Sequence, residues 1–343
     1  MTRRSAPAIE AEAKDALIAA LASLHVPGAV HLAETGASDF IVSVGGTVIA
    51  GEVKSVVTEG EADRLAREFR RRELPTIVVA DRIAEGAKSI FRKAGVNFLD
   101  RRGELRIVVP PLIVDARIAR STAIHSGASG PLSSQVAQEV AIACLLTPDQ
   151  VHGVREVATY VDRAPSAVSN AMAGLRKAGF LTSKGEAAVP DLFNELSIRW
   201  RREPFALAAL PGSGRGSASD QLELGLERVE ATSGWALSDT VGAAAWGMPV
   251  VARGDYPPDF YVPTDAVLRR ARALLGDASD VGGRACSVAV APVRLACLRR
   301  HQREGEKWPV ANHIVVSLDI AGDRARGSEV LDQWHPEGIV RAW

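Results

Sequence analysis

A predicted β-hairpin with charged residues near its open end constrains the fold of this chain most strongly. An apolar run that begins at Phe40 and a second run over 47–53 flank Gly45-Gly46, a pair typical of a tight turn. Because side chains alternate between the two faces of a strand, Glu52 and Lys54 are expected on the same face. The hairpin therefore predicts a carboxylate and an ammonium group side by side.

Asp39 enters the same region from the start of the first strand. Asp39 and Glu52 could share a Mg²⁺ ion, which prefers oxygen ligands, and Lys54 could orient an attacking water. These three residues are the candidate catalytic residues. A simpler interpretation stays open, because Glu-x-Lys on an amphipathic strand is often an exposed ion pair of little energetic value.

The spacing of Asp39 and the run Gly51-Glu52-Val53-Lys54 resembles the metal site of PD-(D/E)xK nucleases. The elements predicted after it, a helix over 59–72, strand 76–80, helix 84–94 and strand 96–100, match the restriction-endonuclease-like order helix-β-β-β-α-β. The resemblance implies that Asp39 and Glu52 bind Mg²⁺. It also implies that Glu10 or Glu12, on a leading helix over 8–24, completes the metal site as in Holliday-junction-resolvase-like members. No other cofactor is expected, and a nuclease fold without catalysis is the alternative.

A second domain is predicted beyond a flexible linker. Residues 123–132 are rich in Gly and Ser, which indicates a boundary between a domain over 1–122 and the rest. Helices are expected over 133–146, 154–161 and 166–178, with a turn before the last helix. This pattern is typical of a helix-turn-helix, and a β-hairpin after Gly179 would add the wing.

The predicted winged helix spans 133–202 and is expected to bind double-stranded DNA. Its last helix would present polar residues to the major groove, where Asn pairs with adenine and Ser or Lys contact bases or phosphates. The candidate DNA-binding residues are Ser166, Ser169, Asn170, Lys177, Lys184, Arg199, Arg201 and Arg202. Use of the same fold for protein contacts or dimerisation is the alternative.

The remaining stretch, 203–343, is expected to form a small α+β domain. The glycine-rich run 212–217 lacks the phosphate-binding pattern that would make it a nucleotide site. The phrase from Gly234 to Gly247 and the segments Val315–Ala321 and Asp323–Trp334 resemble AbiEi-like antitoxins of type IV toxin-antitoxin systems. That resemblance implies a transcriptional regulator, a homodimer and a toxin or other protein partner.

Charge, cysteine content and hydropathy limit the classes of protein to which this chain can belong. The net charge is +0, so DNA binding would depend on local basic patches. One patch is Arg64, Arg67, Arg70, Arg71 and Arg72, for which a solvated helix face is the alternative. The three cysteines suit reduced core thiols, and His301, His313 and His335 lack ligand spacing. With no apolar stretch of membrane-spanning length, we expect a cytoplasmic protein with no membrane partner.

Two functions therefore follow as expectations. The first is a winged-helix DNA-binding regulator, or antitoxin-like protein, on an α/β plus α+β framework. The second is a Mg²⁺-dependent endonuclease that its winged helix delivers to DNA.

Overall fold

The structure is a computed structural model that describes residues 6–32, 38–118, 130–182, 184–212, 221–251, 256–280, 282–323 and 326–343. The chain divides into two compact units, an N-terminal unit over 1–127 and a C-terminal unit over 128–343. The expected boundary lies close to this division, although most of the predicted linker and residues 213–217 of the glycine-rich run lie outside the described residues.

The N-terminal unit contains one mixed sheet of seven strands in sequential order. Its elements are α1 (Ala6–Ser23), β1 (Gly28–Leu32), β2 (Phe40–Val44), β3 (Thr47–Val57), α2 (Glu59–Phe69), β4 (Thr76–Ile83), α3 (Glu85–Ala94), β5 (Asn97–Asp100), β6 (Glu104–Val109) and β7 (Leu112–Arg117). Strands β3, β4 and β5 are parallel, and the other neighbouring pairs are antiparallel. The first six elements, from α1 to β4, have the order helix-β-β-β-α-β, but strand β1 and the last two strands, β6 and β7, were not predicted.

The two faces of this sheet carry different helices. Helix α1 packs on one face through Leu17 and Leu21, in a cluster with Ile77 and Val79 of β4. Helices α2 and α3 pack on the other face, in a cluster that includes Val78. The alternation of β4 side chains between these two clusters fixes the face of every neighbouring residue in register.

Glycines shape the predicted hairpin at two points. Gly45 and Gly46 adopt φ values of 58° and 83°, so both turn positions are left-handed and favour glycine. Gly51 in β3 pairs with Phe40 of β2, whose ring covers the position that a side chain would occupy. A Cβ at Gly51 would lie 2.2 Å from the ring.

Helices come first in the C-terminal unit. They are α4 (Gln135–Leu146), α5 (Val154–Val161), α6 (Pro165–Lys177) and α7 (Asp191–Arg199). Ser134 caps α4 by accepting a hydrogen bond from the Ala137 amide at 3.2 Å. Buried Val157, Val168 and Met172 hold α5 and α6 together, as the apolar spacing predicted.

A second mixed sheet, with strand order β12-β13-β9-β10-β11-β8, follows these helices. Its strands are β8 (Phe205–Leu207), β9 (Ala236–Ser238), β10 (Asp259–Val262), β11 (Cys286–Val290), β12 (Arg300–His301) and β13 (Val310–Ala311). The accompanying helices are α8 (Asp239–Ala245), α9 (Asp265–Leu275), α10 (Leu295–Leu298), α11 (His313–Ala321) and α12 (Gly327–Gln333).

One hydrophobic cluster runs through the C-terminal unit. It joins Val140 of α4 and Met172 of α6 to Tyr261 of β10 and Val315 of α11. Residues of 133–202 and of 203–343 both belong to this cluster. The predicted division of these two stretches into separate domains stays a prediction.

We predict that Gly51→Ala lowers the free energy of unfolding by about 1–3 kcal/mol, because the new methyl group displaces the Phe40 ring from a packed core. Chemical denaturation followed by circular dichroism measures the change. Gly60→Ala is the matched control, since Gly60 lies exposed in α2 with no atom within 4 Å of an added Cβ. Equal unfolding midpoints for the two variants would contradict this packing.

Candidate functional site

The charged residues of the hairpin lie close together as predicted. Phe40 pairs with Gly51, which places Asp39 opposite Glu52 across the two strands. The Asp39 amide donates to the Gly51 carbonyl at 2.9 Å. The Val53 amide in turn donates to Asp39 Oδ2 at 2.7 Å. Asp39 therefore fixes the edge of β3 with its own carboxylate.

The Glu52 carboxylate forms ion pairs with two basic side chains. Lys54 Nζ lies 3.3 Å from Glu52 Oε2, and Arg72 Nη2 lies 2.8 Å from Glu52 Oε1. Arg72 also contacts Glu68 at 2.8 Å. Burial opposes the charge of Arg72, but its hydrogen bonds to Glu52 and Glu68 outweigh burial and raise the Arg72 pKa. Both oxygens of the candidate metal ligand are thus committed to ion pairs.

The glutamates of the leading helix belong to the other face of the sheet. Glu52 and Lys54 are in register with Val78 and Ala80, which face α2 and α3. Glu12 of α1 instead contacts buried Arg101 at 3.5 Å, and Glu10 is a partly exposed residue on the same helix.

A preformed cation site needs carboxylate oxygens that converge and remain free. Across the described part of the chain, no group of three or more His, Cys, Asp or Glu side chains is arranged to hold a metal ion. As arranged here, the residues expected to bind Mg²⁺ do not fit that ion.

The outer face of α6 is free, as the helix-turn-helix pattern predicted. Ser166, Ser169, Asn170 and Lys177 are all exposed, and α6 packs through its opposite face. In the predicted wing, the Thr182 amide donates to the Glu186 carbonyl at 2.8 Å. Lys184 is exposed at its tip, and a guanidinium nitrogen of Arg176 lies next to Gly185.

A buried ion pair holds the turn between α5 and α6. Glu139 of α4 is fully buried and accepts two hydrogen bonds from Arg163, at 2.6 Å and 3.0 Å. The Arg294 amide also donates to Glu139 Oε1 at 3.1 Å. Arg299 donates to the carbonyls of Thr159 and Tyr160, so the later part of the chain also fixes the end of α5.

The three arginines at the end of α7 and just beyond it have different environments. Arg199 pairs with Glu195 at 3.3 Å, and Arg201 is exposed with one hydrogen bond to the Trp200 carbonyl. Arg202 forms ion pairs with Asp239 and with Asp259, the latter at 2.8 Å. Two of these three predicted DNA contacts therefore have acidic partners within the fold.

Arg202 borders a cavity of about 1140 Å³ whose lining includes Trp200, Asp239 and Asp319. Asp319 Oδ1 accepts hydrogen bonds from the Tyr261 hydroxyl and from Trp200 Nε1, the latter at 2.8 Å. Burial raises the pKa of Asp319 to about 6, although Arg202 and Tyr261 act in the opposite direction.

Sequence reasoning missed this network. Its one available signal was Asp319, a lone carboxylate within the apolar run Val315–Ala321. An acidic residue inside a buried helix requires partners, but the sequence does not identify them.

The three cysteines of the C-terminal unit lie in its core, and two of its histidines pack against a tryptophan ring. Cys144, Cys286 and Cys297 are free and buried, as expected for reduced thiols, and burial raises the pKa of each to about 12. His301 and His313 pack edge-on against the Trp246 ring at 5.3 Å and 5.4 Å. Of the helices that the structure describes, none is long and apolar enough to cross a membrane.

Comparisons of the chain with protein-family models, curated proteins and solved structures found no match in any of the three.

We predict that Arg202→Ala lowers the free energy of unfolding by about 3 kcal/mol at pH 8. We expect a loss at the lower end of the range for a broken buried ion pair, because one partner of Arg202, Asp239, is partly exposed. The loss should shrink as the pH falls through 6 towards 4. Asp319, with its raised pKa, then binds a proton in the folded state that the unfolded state does not yet bind.

Denaturation midpoints across this pH range provide the measurement, and Arg201→Ala is the control because Arg201 is exposed. If both variants unfold like the wild type, Arg202 does not stabilise the fold through Asp239, Asp259 and Asp319.

Proposed function

We propose that this protein binds double-stranded DNA through α5, α6 and the predicted wing around Lys184, as a regulator of the winged-helix type. The observation that supports this proposal most directly is the outer face of α6. Ser169, Asn170 and Lys177 are exposed there, and the other face of the helix is buried. A recognition helix requires such a supported polar face.

Each residue of this surface has a chemical role in the proposal. Asn170 offers the amide that pairs with adenine, and Ser166 and Ser169 near the start of α6 contact base edges or phosphates. Lys177, Arg176 and Lys184 supply positive charge for the DNA backbone on either side of the groove. The Glu139–Arg163 pair supports this role by fixing the turn from which α6 begins.

The remainder of the proposal concerns biological context. A homodimer would present two α6 helices to a two-fold DNA site, as such regulators commonly do. The later part of the C-terminal unit, over 203–343, would then serve a protein partner, such as the toxin of an antitoxin-like pair. We place this activity in the cytoplasm.

We predict separate effects for two α6 variants in binding assays on a duplex selected from a random-sequence library. Asn170→Ala should weaken binding to the selected duplex by about 1–3 kcal/mol. It should also relax the preference of the protein for one base in that duplex, because the amide contacts a base edge. Lys177→Ala should weaken binding to all duplex sequences alike and reduce the salt dependence of that binding, because the ammonium group contacts phosphate.

Fluorescence anisotropy with labelled duplexes measures the affinity, its dependence on the duplex sequence and its dependence on salt. Arg269→Ala is the control, since Arg269 is an exposed arginine on α9, outside the proposed surface. Wild-type affinity and selectivity in both α6 variants would refute DNA reading by this helix.

The second candidate, a Mg²⁺-dependent endonuclease, rests on Asp39 facing Glu52 with Lys54 alongside. It requires Arg72 to leave Glu52, because that carboxylate is committed to cations in the present arrangement.

For this candidate we predict no nicking of supercoiled plasmid or branched DNA in Mg²⁺ or Mn²⁺, because Glu52 has no free oxygen. Gel electrophoresis of the wild type beside Glu52→Ala and Glu61→Ala makes the test. Metal-dependent nicking that is lost only in Glu52→Ala would establish the nuclease instead.

A further inference from the structure

A basic groove lies between the last turns of α2 and α3 in the N-terminal unit. Its volume is about 480 Å³, and its lining consists of Asp63, Ala66, Arg67, Arg70, Ile90, Lys93 and Ala94. The small and apolar residues form its floor, and the charged residues stand at its rims. Three of the four charged residues are cations.

The fold brings these cations together from separate helices. Helices α2 and α3 each connect neighbouring parallel strands on one face of the sheet, so they run in the same direction. Their C-terminal ends therefore lie side by side. Arg67 and Arg70 belong to the end of α2, and Lys93 belongs to the end of α3.

Among the residues that the structure describes, the groove cations have no acidic partners, whereas neighbouring cations do. Arg64 pairs with Glu61 and Glu68, and Arg72 pairs with Glu52. Within the described part of the chain, no carboxylate oxygen lies within 4.0 Å of a charged nitrogen of Arg67, Arg70 or Lys93.

Arg67 makes one hydrogen bond through Nε, to the Asp63 carbonyl at 3.1 Å. This bond orients the guanidinium and leaves its two terminal nitrogens for an anion. Asp63 is the sole carboxylate in the lining and offsets only one of the three positive charges, so the groove keeps an excess of positive charge. The groove therefore suits a ligand that carries several negative charges along its length.

We propose that this groove binds the phosphodiester backbone of duplex DNA, without reading its sequence. Arg67 and Arg70 are three residues apart, about 4.5 Å along a helix, so both can face the same strand of a duplex. Guanidinium groups bind phosphate oxygens in a fork, and Lys93 adds a point charge from the opposite rim. The proposal rests on the proposed DNA binding and extends it to the N-terminal unit.

The test compares two triple variants of the full chain that remove the same net charge. The groove variant is Arg67→Gln, Arg70→Gln and Lys93→Gln. The control variant is Arg64→Gln, Arg106→Gln and Arg117→Gln, which replaces arginines of the same unit outside the groove lining. Binding to a labelled random-sequence duplex of about 30 base pairs is measured by anisotropy between 50 and 200 mM salt. Thermal unfolding followed by circular dichroism shows that each variant is folded.

We expect the groove variant to lose affinity by about 10- to 100-fold at the lower salt, with a salt dependence reduced by two to three phosphate contacts, each worth a slope of about 0.9. The control variant should stay within about threefold of the wild type. Equal behaviour of the two triple variants would overturn the proposal.

The Lys177→Ala variant separates this proposal from the function on which it rests. Loss of binding in Lys177→Ala without loss in the groove variant would overturn the groove and retain the helix-turn-helix. Loss of binding in the groove variant, with wild-type binding in both Lys177→Ala and Asn170→Ala, would retain the groove and overturn the helix-turn-helix. A wild type that binds no duplex would overturn both.

Discussion

The buried carboxylate of Glu139 is the constraint on which the C-terminal unit depends. A fully buried charge is tolerated only with close partners, and Glu139 obtains them from Arg163 in the turn before α6 and from the Arg294 amide far along the chain. Arg294 also pairs with Asp162 at 2.8 Å. The turn before α6 is thereby held from both sides. A helix that resembles a portable DNA-binding module in the sequence is an integral part of a larger core.

Local sequence signals predicted the elements that depend on local physics. The hairpin follows from the positive φ values of Gly45 and Gly46, and α6 follows from the spacing of Val168, Met172 and Leu175. These patterns act over a few residues, so one chain is enough to recognise them. The free polar face of α6 follows from the same periodicity, which is why its candidate residues lie where they were expected.

Residue pairs that are distant in the sequence could not be predicted in this way. Arg72 reaches Glu52 across 20 positions, and Arg202 reaches Asp239 across 37. Such pairs depend on the direction of a helix and on the face of a strand, neither of which a motif specifies. The Glu-x-Lys motif was therefore recognised, but the arginine that neutralises its glutamate was not.

Charge runs illustrate the same limit from the opposite direction. Five arginines between 64 and 72 suggested one basic surface, but Arg64 and Arg72 are paired with glutamates while Arg67 and Arg70 turn to the groove beside Lys93. A cation already paired with a carboxylate must break that pair to bind phosphate, whereas an unpaired cation only releases water and counterions. In the proposed groove, anion binding would thus depend on the cations that folding leaves unpaired, not on the number of cations in the sequence.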